Sequence, residues 1–120
     1  IFQSGKTMIN TATQLKQELG AKRVFCVTAF PLFTDGIESF NQAYDEGIIE
    51  RVYGTNLIYR PQELKDAPWY VEVDGTYLLA QIIDAINHNA SISQLLDQTV
   101  SIQHLLRLRK QQEDFSNLLK

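Results

Sequence analysis

The chain has 120 residues, of which 44% are hydrophobic, and its formal net charge at pH 7 is -3. This length is sufficient for one globular domain with a hydrophobic core, and the apolar runs are far shorter than the roughly 20 residues that a transmembrane helix needs. The slightly acidic charge gives no electrostatic reason to expect nucleic-acid binding. The single cysteine, Cys26, cannot form an internal disulfide. We therefore expect a cytoplasmic protein that binds neither nucleic acid nor a membrane.

The first segment, residues 1–7, places small and hydroxyl-bearing residues directly before an amphipathic helix. The first amides of a helix have no intrahelical partner, the helix dipole adds partial positive charge there, and Gly5 would let the backbone approach an anion closely. Ser4 and Thr7 would add hydroxyl donors, and Lys6 a cation. The pattern predicts an anion site.

Three interpretations of Ser4-Gly5-Lys6-Thr7 remain open from the residues alone. The first is an ordinary helix cap, because serine is common before a helix. The second is a Walker-type nucleotide loop, whose first glycine would precede Ile1. The third is a phosphoribosyl-binding loop, in which amides and hydroxyls surround one phosphate. Because the sequence begins without methionine and inside an apolar strand end, we expect it to be a fragment.

Helices and strands are predicted in alternation along the chain. Apolar residues recur at helical spacing over residues 7–19 and Gly20 follows as a stop, which predicts a helix. Residues 23–29 are nearly continuous in apolar and β-branched residues, which is typical of a central parallel strand covered on both faces. The later predictions are a helix from Ile37 to Gly47, strands at 48–53 and 69–73, a loop at 57–68, a helix between Asp74 and His88-Asn89, and an amphipathic helix at 101–120.

This order of elements is typical of an open, mostly parallel twisted α/β sheet with helices on both faces. In such sheets ligands bind at the carboxyl ends of strands, where the loop before the first helix would lie. The helix after Asp74 has a predicted inner face formed by Leu78, Leu79, Ile82, Ile83 and Ile86. We expect residues 1–97 to form one domain, truncated at its N-terminal side, and residues 98–120 to form a helical extension. The extension could pack on its own domain, on an absent part of the chain or on a second subunit.

Residues 1–7 resemble the second half of the Asp-Asp-x-x-Asp-Thr-Gly-x-Thr signature of type I phosphoribosyltransferase folds. Four further segments are similar, in order and close to the same spacing, to landmarks of the ribose-phosphate pyrophosphokinase family. These segments are residues 20–25, 30–34, 55–58 and 88–96. Salvage phosphoribosyltransferases share the loop without this downstream series. The chain therefore resembles most of the second of the two similar α/β domains that build the family enzyme.

The resemblance implies a function and a set of ligands. Family enzymes transfer the β,γ-diphosphoryl group of ATP to the anomeric hydroxyl of ribose 5-phosphate with Mg²⁺, and they form dimers and larger rings. By resemblance, the 5-phosphate of ribose 5-phosphate would be bound by Gln3, Ser4, Gly5, Lys6 and Thr7. The resemblance places the catalytic groups and the Mg²⁺ ligands outside this fragment, which we expect to be inactive alone and to belong to a homo-oligomer.

A second segment of the family helps to hold a regulatory phosphate or nucleotide between subunits, and Ser91, Ile92 and Ser93 match it. The alternative for these residues is a serine-capped turn that leads into the following leucines. Three departures from the family pattern are Gln3 in place of aspartate, Lys6 in place of glycine and Phe30 in place of histidine. They fit either a divergent enzyme or a regulatory paralogue without catalysis. A salvage phosphoribosyltransferase is a third alternative, although no base-recognition segment follows residue 57.

Overall fold

The computed structural model describes residues 5–118, except for the side chains at positions 94, 100, 101 and 113–118. The chain divides into two compact units, one ending at Thr76 and the other beginning at Tyr77. The predicted division into residues 1–97 and 98–120 stays a prediction.

The first unit is an α/β unit with a small open sheet. The described residues of this unit form three strands, which are all parallel and neighbour one another in chain order. The α/β class predicted from the sequence is therefore confirmed. Its elements are α1 (Lys6–Gln17), β1 (Phe25–Thr28), α2 (Glu38–Asp45), β2 (Arg51–Thr55), α3 (Gln62–Asp66) and β3 (Tyr70–Val73).

The short helix α3 corrects the prediction of a loop over residues 57–68. Pro61 precedes it with φ at -63°, and proline is favourable at a helix start because its ring fixes φ and the missing N–H needs no partner there. Leu64 is fully buried and anchors the helix to the core. A single turn anchored by one leucine has no helical repeat, so the sequence showed no periodic signal.

The core lies against one face of the sheet, where it meets residues of α1, α2 and α3. An aromatic cluster fills its centre: the rings of Phe40 and Trp69 stack with centroids 5.3 Å apart, and Phe33 packs edge-on against Phe40 at 5.0 Å. Trp69 is fully buried, and its indole Nε1 donates to Asn41 Oδ1 at 2.8 Å. Burial and the satisfied indole together fix the end of the loop that enters β3.

The opposite face of the sheet remains partly open, which corrects the expectation that β1 is covered on both faces. Burial alternates along β1, so that Phe25 is 44% exposed and Val27 76% exposed. Val27 lies in register with Tyr53, which lies in register with Val71. The apolar run of β1 therefore reflects one buried face and one apolar but exposed face.

The second unit is helical. Its helices are α4 (Thr76–Asn87), α5 (Ser93–Leu96) and α6 (Thr99–Leu118). The predicted start and end of α4 are confirmed, but its predicted inner face is not buried, and no residue of α4 is buried. Four of its apolar side chains are exposed: Leu78, Leu79, Ile83 and Ile86. Among the described residues, no helix combines the length and apolar character needed to cross a membrane.

Candidate functional site

The start of α1 leaves several backbone amides without a helical partner. Gly5 is buried and occupies the N-cap with φ 75° and ψ -1°, in the left-handed region that glycine adopts without a steric penalty. The first hydrogen bond of the helix runs from Ile9 N to Gly5 O at 3.0 Å, so the amides of Lys6, Thr7 and Met8 precede the helical ladder. These amides and the positive end of the helix dipole point out of the first turn.

The structure describes three of the five predicted loop residues. Gly5, Lys6 and Thr7 lie together at the start of α1, and the side chains of Lys6 and Thr7 are exposed to solvent. Gln3 and Ser4 lie outside the described residues. The geometry therefore bears on the backbone of the loop and on its cation.

The loop lies on the carboxyl side of β1. Lys6 Nζ lies 3.4 Å from Asp35 Oδ2, and Asp35 belongs to the connection that leads from the carboxyl end of β1 into α2. Ligands of open parallel sheets bind on this side. The sequence indicated only a turn at Asp35-Gly36, and no local pattern linked that turn to Lys6.

A hydrogen-bond network joins the carboxyl ends of β2 and β3. Asn56 Nδ2 donates to Asp74 Oδ1 at 2.8 Å, and the amide of Gly75 donates to Asn56 Oδ1 at 2.9 Å. Asp74 also accepts from the backbone and side chain of Thr76, the first residue of α4. The hydrogen bonds from Thr76 and then that from Asn56 lower the pKa of Asp74 from 3.8 to about 2. The Asp74 carboxylate is thus ionised at physiological pH and is held by hydrogen bonds from Asn56 and Thr76.

Arg60 fixes the loop that follows β2. Its side chain is only 15% exposed, and Nε lies 2.6 Å from Glu72 Oε2 on β3. Its Nη1 donates to the carbonyl oxygens of Asn56 and Ile58 at 2.9 and 2.6 Å. One guanidinium therefore holds the loop against the third strand, a role that sequence reasoning missed because arginine in a polar loop is usually solvated.

Two buried hydroxyl groups lie near this edge without a hydrogen-bond partner among the described residues. They are Thr28 Oγ1 and Tyr70 Oη. Thr28 is in register with Gly54, and a Cβ atom at Gly54 would come within 2.7 Å of Tyr70 Oη. Burial raises the pKa of Tyr70, so its hydroxyl stays neutral at physiological pH. Glycine at position 54 is thus what makes room for the tyrosine ring.

Ser91, Ile92 and Ser93 lie in the second unit, where Ser91 and Ile92 precede α5 and Ser93 is its first residue. Ser91 Oγ lies 2.6 Å from Ser93 Oγ and accepts from the amide of Ser93 at 3.3 Å. These are local contacts of a serine turn, while the N-cap of α5 is Ile92 and has no side-chain cap hydrogen bond. A role in holding a regulatory phosphate or nucleotide stays a prediction.

Ser91 also contributes to a cavity of about 470 Å³ within the second unit. The charged and titratable groups that line it are Asp84 and His88. His88 Nδ1 lies 2.9 Å from the carbonyl oxygen of Asp84 and 3.3 Å from its carboxylate. These contacts are those of a histidine that terminates a helix.

Neither a metal cluster nor an activated thiol occurs in the described part of the chain. Among the side chains that the structure describes, no group of three or more His, Cys, Asp or Glu residues is arranged to hold a metal ion. Cys26 is buried, and burial raises the pKa of its thiol, which disfavours the thiolate. Phe30 is half-buried beyond the end of β1 and brings an apolar ring to this edge.

In comparisons with known proteins, no family model matches the chain, and no curated protein matches it. A functional proposal therefore depends on the loop at the start of α1 and on the resemblance of the sequence segments to a family.

Proposed function

We propose that the chain is the C-terminal part of a ribose-phosphate pyrophosphokinase, which transfers diphosphate from ATP to ribose 5-phosphate and yields phosphoribosyl pyrophosphate. In this proposal residues 3–7 bind the 5-phosphate of ribose 5-phosphate. The observation that carries it is the buried, left-handed Gly5 that caps α1 on the carboxyl side of β1. The family resemblance of residues 20–25, 30–34, 55–58 and 88–96 supports the choice of family.

The chemistry of the reaction fits what the described residues offer. Phosphoryl transfer depends mainly on positioning and on charge stabilisation, so a substrate-binding loop needs donors and a cation rather than a nucleophile. The amides at the start of α1 and the Lys6 ammonium supply these groups locally. Local supply matters because the net charge of the chain, -3, would otherwise repel a dianionic substrate.

Magnesium and ATP enter the proposal through the family resemblance. A magnesium ion prefers carboxylate and phosphate oxygens in octahedral geometry. The carboxylate of Asp74, at the carboxyl edge of β3, is engaged by Asn56 and Thr76, and Asp35 is engaged by Lys6. Both carboxylates thus already have partners, and the resemblance implies that the metal ligands lie elsewhere in the parent protein.

A non-catalytic regulatory paralogue of the same enzyme is the second candidate. Phe30 favours it, because an apolar ring stands half-buried at the functional edge where the family has a histidine. Such a paralogue would keep the phosphate loop and assemble with active subunits. Exposed apolar faces on α4 are compatible with the proposed homo-oligomer or with such a mixed assembly.

The deciding experiment measures AMP and phosphoribosyl pyrophosphate formation by the full-length protein with ATP, ribose 5-phosphate and Mg²⁺. Binding of ribose 5-phosphate is measured separately by calorimetry on the same preparation. Turnover establishes the pyrophosphokinase. Binding without turnover in a folded protein points to the regulatory paralogue. A folded protein that shows neither binding nor turnover refutes the proposal. Conversion of a nucleobase and phosphoribosyl pyrophosphate to a nucleotide, with release of pyrophosphate, would instead identify a salvage phosphoribosyltransferase.

A further inference from the structure

The ion pair between Lys6 and Asp35 gives the loop a feature that an anion site does not need. Lys6 is the first residue of α1, and its Nζ lies 3.4 Å from Asp35 Oδ2. A carboxylate at this distance competes with a phosphate for the same ammonium group, because both are anions that attract it through charge-assisted contacts. Asp35 is therefore positioned to lower the anion affinity of the loop.

A turn anchored in the core presents the Asp35 carboxylate. The amide of Gly36 donates to Phe33 O at 3.0 Å, and φ is 47° at Phe33 and 81° at Gly36. Phe33 is 7% exposed, and its ring packs edge-on against that of Phe40. A bulky residue in the left-handed region persists only where its surroundings enforce it. The turn thus holds the backbone of Asp35 in place.

The lysine, in contrast, is free to change partners. Its side chain is 76% exposed and that of Asp35 is 52% exposed, so the pair can separate without disturbing the core. Lysine carries its charge on a flexible four-carbon stem with three donors that rotate freely. A ligand at the start of α1 can therefore take the ammonium while Asp35 stays in its turn.

We propose that Asp35 is a positioning residue that competes with the ligand for Lys6. When ribose 5-phosphate binds, the Lys6 ammonium leaves Asp35 and contacts the phosphate instead. This inference rests on the proposed function of the loop. Removing the carboxylate tightens ribose 5-phosphate binding by about three- to fivefold. The gain is modest because exposed ion pairs are weak. Asp35 thereby sets the substrate concentration at which the loop becomes occupied.

Calorimetric titration with ribose 5-phosphate, and separately with inorganic phosphate, tests this inference on the full-length protein. Asp35→Asn tightens binding, Lys6→Gln weakens it, and Asp35→Asn has no further effect when Lys6 is already glutamine. Asp35→Glu keeps the carboxylate and remains close to the wild type. Asp45→Asn, at the last residue of α2, is the matched control, because it changes the net charge equally without touching Lys6.

A second readout uses the wild-type protein alone. The carboxyl ¹³C resonance of Asp35, assigned by its loss in Asp35→Asn, shifts in proportion to ribose 5-phosphate saturation as Lys6 leaves it. A resonance that does not move at saturation overturns the inference, and so does an Asp35→Asn variant that binds no more tightly than the wild type. The inference is also overturned if Asp35→Asn raises the affinity equally with lysine and with glutamine at position 6, because Asp35 would then act on the ligand directly. Failure of the folded wild type to bind ribose 5-phosphate refutes the proposed function itself.

Discussion

The substitution Gly5→Ala tests the phosphate loop most directly. Gly5 has φ 75° and ψ -1° and is buried at the N-cap of α1. An alanine held in this left-handed conformation costs roughly 1–2 kcal/mol. The same substitution restricts the unfolded chain, which returns about 0.4–1 kcal/mol where the native backbone is compatible and less where it is strained. We therefore expect the free energy of unfolding to fall by about 1 kcal/mol.

The effect on binding is larger than the effect on stability. A phosphate at the start of α1 approaches the backbone closely, and the added methyl group either blocks that approach or turns the amides away. Losing one amide contact to a dianion costs about 1.5–3 kcal/mol, which corresponds to at least about a tenfold loss of ribose 5-phosphate affinity.

A matched control separates these two effects. Gly20 has φ +67°, and a Cβ atom there meets nothing within 4 Å. Gly20→Ala should therefore lower stability to a similar extent in urea unfolding while leaving ribose 5-phosphate affinity unchanged in calorimetry. Equal affinities for the wild type and Gly5→Ala, with wild-type binding intact, would falsify the assignment of the loop. Weaker binding by both variants would attribute the effect to general destabilisation.

Three further predictions concern the carboxyl edge of the sheet. Gly54→Ala should lower the free energy of unfolding by about 1–3 kcal/mol, because the new Cβ would lie 2.7 Å from Tyr70 Oη; an unchanged urea midpoint would contradict this. Arg60→Met should cost about 2 kcal/mol, since it removes three hydrogen bonds made by one guanidinium, and a loss below about 0.5 kcal/mol in urea unfolding would contradict the role assigned to Arg60. The pKa of Asp74 is about 2 in the folded protein against 3.8 ordinarily, so its stabilising effect is complete above about pH 4 and is lost as the pH falls towards 2. Asp74→Asn should flatten the decline of the urea midpoint over that interval, and parallel declines would show that other carboxyl groups control it.

Local signals predicted much of the fold. The helical spacing and Gly20 predicted α1 over residues 7–19, and the structure has it at Lys6–Gln17. A helix was expected after Asp74, and α4 begins at Thr76, whose amide donates to the Asp74 carboxylate at 3.0 Å. Periodicity and capping depend on residues close in sequence, and for that reason they could be read without the structure.

Burial could not be predicted in the same way. The apolar run of β1 is compatible with a strand buried on both faces, but Val27 is largely exposed. The apolar stripe of α4 likewise indicated a buried face that the structure does not contain. An apolar pattern shows which face has the capacity to be buried, whereas the element that covers it is determined by the whole assembly.

The same contrast between local and long-range signals holds for the candidate site. The start of α1 was predicted because helix termini have a local signature, but the residue at its N-cap is Gly5, whereas the sequence had suggested a serine cap. The pairing of Lys6 with Asp35 depends on the position of the turn after β1, and the packing of Phe33 determines that position. The contacts of Arg60 with Glu72 on β3 similarly depend on the parallel register of β2 and β3. Such long-range contacts are set by topology, which a single sequence does not specify.

The buried position of Cys26 has a practical consequence for spectroscopy. It is the single cysteine of the chain, it lies in the core, and burial raises the pKa of its thiol. Thiol reagents attack the thiolate of accessible cysteines, so the native protein should remain almost unlabelled at neutral pH. A cysteine introduced at an exposed position near the start of α1 would then carry a fluorophore or spin label at one defined place. Ligand-induced movement of the loop becomes measurable without first removing the native thiol.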